Sequence, residues 1–169
     1  MFGDLQRSRS IAYTAVFIGL ITIGGWISVP FVPSPFTLQT FFVLLAGAVM
    51  KRRAVIPVAL YVLLGAAGLP VFHNGTAGIG VLLGPTGGYL AGFILAALAA
   101  GLAYESSRPA IRIAGLVTGA VLILACGVVW LIVSTGMAPS AAVVLGMLIF
   151  LPGDLVKAGA AYLVARHLP

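Results

Sequence analysis

Acidic residues are nearly absent, three in 169, and residues of either charge make up only 7% of the chain. A water-soluble domain devotes about a quarter of its residues to charge, so this chain has too few to wet its own surface. With 62% of residues hydrophobic and a mean hydropathy of +1.20, disorder is excluded as well, because disorder needs high charge and low hydrophobicity. Cysteine occurs once, Cys126 within an apolar run, which rules out an internal disulfide or a thiolate metal cluster and reads as a packed apolar residue. No G-x-x-x-x-G-K-[ST] loop is present, and Gly78-Ile79-Gly80 does not open a strand-and-helix nucleotide unit. The two histidines, His73 and His167, lie far apart with no acid or cysteine near His73, so a nucleophile–base pair, a metal site and a cofactor site are not expected.

What is present is a series of apolar runs, the signature of membrane spans. Polar, Pro-rich and Gly-rich breaks divide the chain into six candidates: Ile11–Ser28, Thr37–Met50, Ala54–Leu69, Pro85–Tyr104, Ile111–Ser134 and an interrupted last segment. In that last segment Ser140–Phe150 is apolar, Leu151-Pro152-Gly153 intervenes, and Asp154–Arg166 follows. Proline is tolerated in the first turn of a helix and not further in, so the last helix is expected to begin near Pro152, after a short outer helix. A single kinked span from Ala141 to Arg166 is the alternative. The expected fold is therefore all-α, a single domain over residues 1–169, forming an integral membrane bundle of six transmembrane helices.

The net charge of +6 would suggest nucleic acid if the basic residues formed a stripe on a polar surface; scattered between apolar runs, they read as loop anchors. With the N-terminus inside, Arg7, Arg9, Lys51, Arg52, Arg53, Arg108, Arg112 and Arg166 all fall on the inner side, as do Asp4 and Glu105. Cytoplasmic loops are enriched in Lys and Arg, so both termini are expected in the cytoplasm and the protein in the cell membrane. The N-terminal run is longer than a signal-peptide core and has no A-x-A site, so it is expected to stay as a span.

Two charged residues remain. Lys157 lies nine residues before Arg166, roughly 14 Å along a helix, which puts it deep in the membrane, and Asp154 shares its helical face at a spacing of three. A charge at the bilayer centre costs about 2.5 to 3.5 kcal/mol, so such residues face a protein interior or a wet cavity. Three readings are open: an internal ion pair, a ligand site, or a proton-coupled carrier titrating Asp154. Around them, the glycine-rich loop from Gly68 to Gly80 offers close backbone approach and Asn74 a donor and an acceptor. Tyr89 is either an aromatic wall or an interfacial residue. Thr37, Gln39 and Thr40 either line a pocket or bond neighbouring helices.

Gly25-Trp26-Ile27-Ser28, Pro35-Phe36-Thr37-Leu38-Gln39-Thr40, Leu64 through Phe72, Leu83-Gly84-Pro85-Thr86-Gly87-Gly88-Tyr89 and Leu151-Pro152-Gly153-Asp154-Leu155-Val156-Lys157, in this order and spacing, resemble the BioY biotin-transport family over nearly the whole chain. The resemblance implies a six-helix S-component of an energy-coupling factor (ECF) transporter that binds biotin near the outer face. It implies as partners a membrane T-component and two ABC-type ATPases, within the lipid bilayer, with a homo-oligomer left open. Carried over to matching positions, the substrate contacts are Asp154, Lys157 and Asn74. Lys157 is assigned to the carboxylate, Asp154 to a ureido N–H and Asn74 to the remaining ureido valence, with Tyr89 enclosing the rings. The small-residue motif of the first helix, which meets the T-component in the family, is matched most nearly by Ala15 and Gly19. A stand-alone or proton-coupled carrier and a structural subunit are the alternatives.

Overall fold

The computed structural model describes residues 2–168, with side chains from Arg7 onward; the side chain of Asp4 lies outside the described residues. The chain is mostly helical. Helix α1 (Phe2–Trp26) begins nine residues before the expected first span. A minimal antiparallel ribbon follows, β1 (Ser28–Val29) pairing with β2 (Phe36–Thr37) in the register Ser28–Thr37 and Val29–Phe36. Helix α2 (Gln39–Met50) leads through a short 3-10 turn, Lys51–Ala54, to α3 (Val55–Ala66). The glycine-rich stretch, expected to be a loop, holds a 3-10 turn at His73–Gly75 and a one-turn helix α4 (Ile79–Leu83). Helices α5 (Gly87–Ala103) and α6 (Pro109–Thr135) come next.

Local chemistry sets several of these boundaries. Pro109 opens α6, where its missing N–H is not needed, and Arg108 before it is extended. Gly136 closes the helix in the left-handed region at φ 69°, its N–H bonded to the Ile132 carbonyl. The final segment runs from α7 (Pro139–Val143) through a π-turn at Val144–Leu148 into α8 (Leu151–Ala165). Both residues joining the π-turn to α8, Ile149 and Phe150, keep right-handed helical geometry. The segment is thus closer to one kinked helical stretch than to a separate outer helix and a span. Pro152 does not break it because it sits in the first turn of α8.

Helices α5 and α6 pack along most of their length, and α2 lies at the centre against α1, α5, α6 and α8. The α5–α6 contact is close because Gly88 and Gly92, one turn apart, face it: a Cβ at Gly88 would lie 2.2 Å from Trp130 Cβ, and one at Gly92 2.8 Å from Ile123 Cα. Ile21, Leu44, Tyr61, Leu116 and Ile123 fill the core, while Leu63, Val129, Val133 and Val156 are exposed on the outer faces. Exposed aliphatics in this number suit a lipid surroundings rather than water. Three helical stretches, Arg7–Trp26, Pro109–Thr135 and Pro139–Ala165, are long and apolar enough to cross a bilayer. Helix α5 is shorter and also apolar. Helices α2 and α3 have 12 residues each, roughly 18 Å of rise, and most of α2 is buried among its neighbours rather than presented to lipid.

Candidate functional site

At the end of the bundle opposite the basic loops, α2, α5, α6 and α8 diverge around a cavity roofed by the ribbon and by the turn at His73. Its polar members are Ser34, Thr37, Gln39, Thr40, His73, Thr86, Tyr89, Asp154 and Lys157; Leu90, Phe93, Ile123 and Phe150 supply apolar wall. The space open to water-sized molecules is about 40 Å³, enough for a few waters. A wider cleft of about 780 Å³ lies outside it, lined by Pro30, Phe31, Asn74, Gly80 and Pro85, and the two share Pro35, His73 and Thr86.

Helix α8 delivers the charged pair. Its first turn carries Asp154, where the positive end of the helix favours a carboxylate, and Lys157 Nζ donates to Asp154 Oδ1 at 2.8 Å. The carboxylate side chain is 4% exposed and the ammonium side chain 17%, so the ammonium retains access that the acid lacks. Thr40 of α2 stands beside the same carboxylate. An ion pair with this spacing presents an acceptor and a donor side by side, the complement of a ligand edge that carries a donor next to an acceptor.

Tyr89 is held from two sides. Its hydroxyl donates to the Gly146 carbonyl at 2.8 Å. That carbonyl is open to it because the π-turn sends the Phe150 N–H to Met147 O, and π-turns often mark functional positions in helices. The ring lies in a slot made by Gly127, where a Cβ would be 2.2 Å from Tyr89 Cε1. Tyr89→Phe leaves the buried Gly146 carbonyl unpartnered, at a cost of about 1 to 3 kcal/mol. A thermal unfolding scan should record this as a lower midpoint, and an unchanged midpoint would contradict the bond.

Gln39 is buried, and its amide donates to the Tyr61 hydroxyl in a short contact. It lines the cavity while tying α2 to α3, so it acts as a braced wall. Asn74 is placed differently. It occupies the left-handed region at φ 54°, a conformation asparagine tolerates better than most residues, and its side-chain oxygen accepts a short hydrogen bond from Ser28. It borders the outer cleft rather than the inner cavity. The structure therefore brings Asp154, Lys157, Tyr89 and Gln39 together and sets Asn74 at the entrance. Ala15 and Gly19 lie on the exposed side of α1, away from the cavity; a Cβ at Gly19 would meet nothing within 4 Å.

Reading the sequence alone misses His73 as a cavity residue. Its Nε2 contacts Thr86 Oγ1 at 3.4 Å, and its Nδ1 is buried without a partner. Burial holds the imidazole below its usual range, which favours its neutral form. Phe150 was also missed, although it packs against Phe31, Phe36 and Tyr89 and joins the ribbon to α8. Only the fold brings these rings together. Two further bonds pin the roof, Trp26 Nε1 to Pro70 O at 3.2 Å and Trp130 Nε1 to Gly84 O at 2.9 Å.

Comparison with known proteins gives a consistent result. A model of the BioY family matches residues 3–169. The biotin transporter BioY of Thermotoga maritima is 50% identical over 122 residues, covering 71% of this chain and 72% of the relative. The probable biotin transporter BioY of Pyrococcus horikoshii is 37% identical over 164 residues, covering 96% and 98%. Among solved structures, the S-component for biotin from an ECF-type ABC transporter superposes with a TM-score of 0.87 at 25% identity, covering 96% of this chain and 92% of that one.

Proposed function

The chain belongs to the BioY family, and from that premise we propose that it captures biotin through the Asp154–Lys157 pair as the substrate-specific S-component of an ATP-driven ECF transporter. It is a transport protein and not an enzyme. The observation that carries the site is the pair itself, the one charged couple among the described residues that lines the cavity. Biotin has a ureido head, with two N–H donors flanking a carbonyl, and a tail ending in a carboxylate. The sequence expectation sends Lys157 to the carboxylate and Asp154 to the head. Their 2.8 Å separation supports a different division, because an extended biotin keeps its two ends much further apart than that. Asp154 accepts a ureido N–H while Lys157 donates to the neighbouring ureido carbonyl. The tail then points to the outer cleft, where Asn74 and the neutral His73 offer hydrogen bonds. Tyr89 and Phe150 supply aromatic walls to the rings.

A ligand the size of biotin needs a pocket of roughly 300 Å³ or more, well above the inner cavity's 40 Å³. Entry therefore parts the roof, whose bonds from Trp26, Ser28 and Trp130 are few and peripheral. The six helices cross the cell membrane with both termini in the cytoplasm, a reading supported by the clustering of basic residues at the far end from the cavity. The short helix α2 completes its crossing shielded by neighbours, whereas α3 presents Ile56, Leu60 and Leu63 outward.

Coupling to a T-component and two ABC-type ATPases is assigned to α1, where Ala15 and Gly19 leave a surface that another helix can approach closely. Ala15→Trp and Gly19→Leu should fold normally and bind biotin as the unmodified protein does, yet fail to co-purify with the T-component. Loss of biotin binding in these variants would contradict the separation of the two surfaces. The reading as a whole is tested by uptake into liposomes. Transport that requires the ATPase module and ATP supports it, and transport driven by a pH gradient alone gives the carrier reading its support instead.

A further inference from the structure

At the basic end of the bundle the chain makes a turn it adopts nowhere else among the described non-glycine residues. Lys51 has φ 55° and ψ −144°, close to a region almost restricted to glycine and found where surrounding structure over-determines the backbone. Gly101 allows it: a Cβ there would lie 2.4 Å from the Lys51 carbonyl oxygen. The turn parts two consecutive arginines. Arg52 pairs with Glu105, Nε to Oε1 at 2.7 Å, whereas Arg53 lines a concavity of about 320 Å³ with Arg9, Ser10 and Tyr13 of α1 and, as its apolar lining, Val49 and Met50 of α2. Arg9 donates to the Tyr13 hydroxyl at 3.2 Å and lies over its ring, which fixes the guanidinium and leaves the phenolic proton free to donate.

We propose that Arg9, Ser10, Tyr13 and Arg53 form a binding pocket for the phosphate headgroup of an anionic phospholipid. Two guanidinium groups and two hydroxyls are donors suited to phosphodiester oxygens. The apolar lining and the exposed Ile11 and Val16 on α1 provide the surface that acyl chains would follow. Basic pockets between helices at this level of a membrane protein are the usual seats of anionic headgroups. The proposal does not depend on what the opposite cavity binds.

The test is native mass spectrometry of the full chain released from mixed micelles containing equal phosphatidylglycerol and phosphatidylcholine. The unmodified protein should retain phosphatidylglycerol in preference, and the Arg9→Gln/Arg53→Gln variant should lose at least about tenfold of that adduct. Arg7→Gln/Arg108→Gln, with the same net charge, should keep it. Biotin titration of each variant serves as the folding control and should be unchanged. Retention of the adduct by the Arg9/Arg53 variant, or equal retention of phosphatidylcholine, overturns the proposal. So does displacement of the lipid by millimolar inorganic phosphate, which would make this a free-anion site. Loss of T-component association with the lipid adduct intact would assign the pocket to a protein partner and overturn it as well.

Discussion

Lys157→Ala lowers biotin affinity by about ten- to a hundredfold, and Asp154→Asn by a similar factor, because each removes a charge-assisted hydrogen bond worth roughly 1.5 to 3 kcal/mol. Both variants also lose stability. Removing one member of a buried ion pair leaves the other unpaired, at a cost of about 3 to 5 kcal/mol, and Asp154 is 3% exposed. Affinity alone therefore cannot separate a ligand site from an internal lock. The Asp154→Leu/Lys157→Met double variant can. Exchanging both charges for apolar groups of similar volume is often neutral or stabilising, so the double variant should unfold at or above the midpoint of either single variant while binding no biotin. Calorimetric titration beside a thermal scan checks both halves. Biotin binding at unmodified affinity in the double variant would reduce the pair to a structural lock.

Gly127→Val should be among the most damaging single changes that touch neither the charged pair nor the roof. The Tyr89 ring occupies the space of the missing side chain, with Cε1, Cζ and Cδ1 all within 2.5 Å of where a Cβ would stand. A branched side chain drives the ring out of its slot, breaks the 2.8 Å bond to the Gly146 carbonyl and pushes the wall into the cavity. Overpacking of this kind costs about 1 to 3 kcal/mol, with the lost buried hydrogen bond added. The expected outcome is a protein that is either unstable in detergent or folded with biotin affinity reduced tenfold or more. Gly19→Val on the exposed side of α1, where a Cβ meets nothing, is the matched control and should change neither. Equal behaviour of the two would show that close packing behind Tyr89 does not shape the site.

The elements that reach furthest from a sequence are those set by solvent. Apolar runs separated by Pro, Gly and basic residues place the long helices, because the lipid imposes their composition; the exception is the start of α1, which extends nine residues into the polar N-terminal segment. The charged pair was legible for the same reason: Asp154 and Lys157 are residues that a bilayer excludes unless protein surrounds them. Tyr89 and Gln39 stand out only through their motif neighbours; both line the cavity, although nothing in the sequence shows that Gln39 bonds Tyr61 or that Tyr89 reaches a carbonyl freed 57 residues away. The helical turn α4 is not legible in the sequence because five residues between glycines have no detectable periodicity. The π-turn at Val144–Leu148 was invisible too, since it reflects how the segment must be wound to present Phe150 and Asp154 to the cavity, a tertiary demand. Nothing adjacent in the sequence marks His73 as a cavity residue, because the neighbours that enclose it, α1 and Thr86, come from elsewhere along the chain.

In the proposed binding mode the ion pair grips the ureido head of biotin and leaves the tail toward the outer cleft. Calorimetric titration of the purified chain with biotin, biotin methyl ester and 2-iminobiotin tests this most directly. The expected result is saturable binding of one biotin per chain, retention of most of that affinity by the methyl ester, which lacks only the tail's charge, and a tenfold or greater loss with 2-iminobiotin, whose cyclic guanidine replaces the carbonyl that Lys157 would meet. A flat trace with biotin, or loss of binding with the ester and not with 2-iminobiotin, would contradict it.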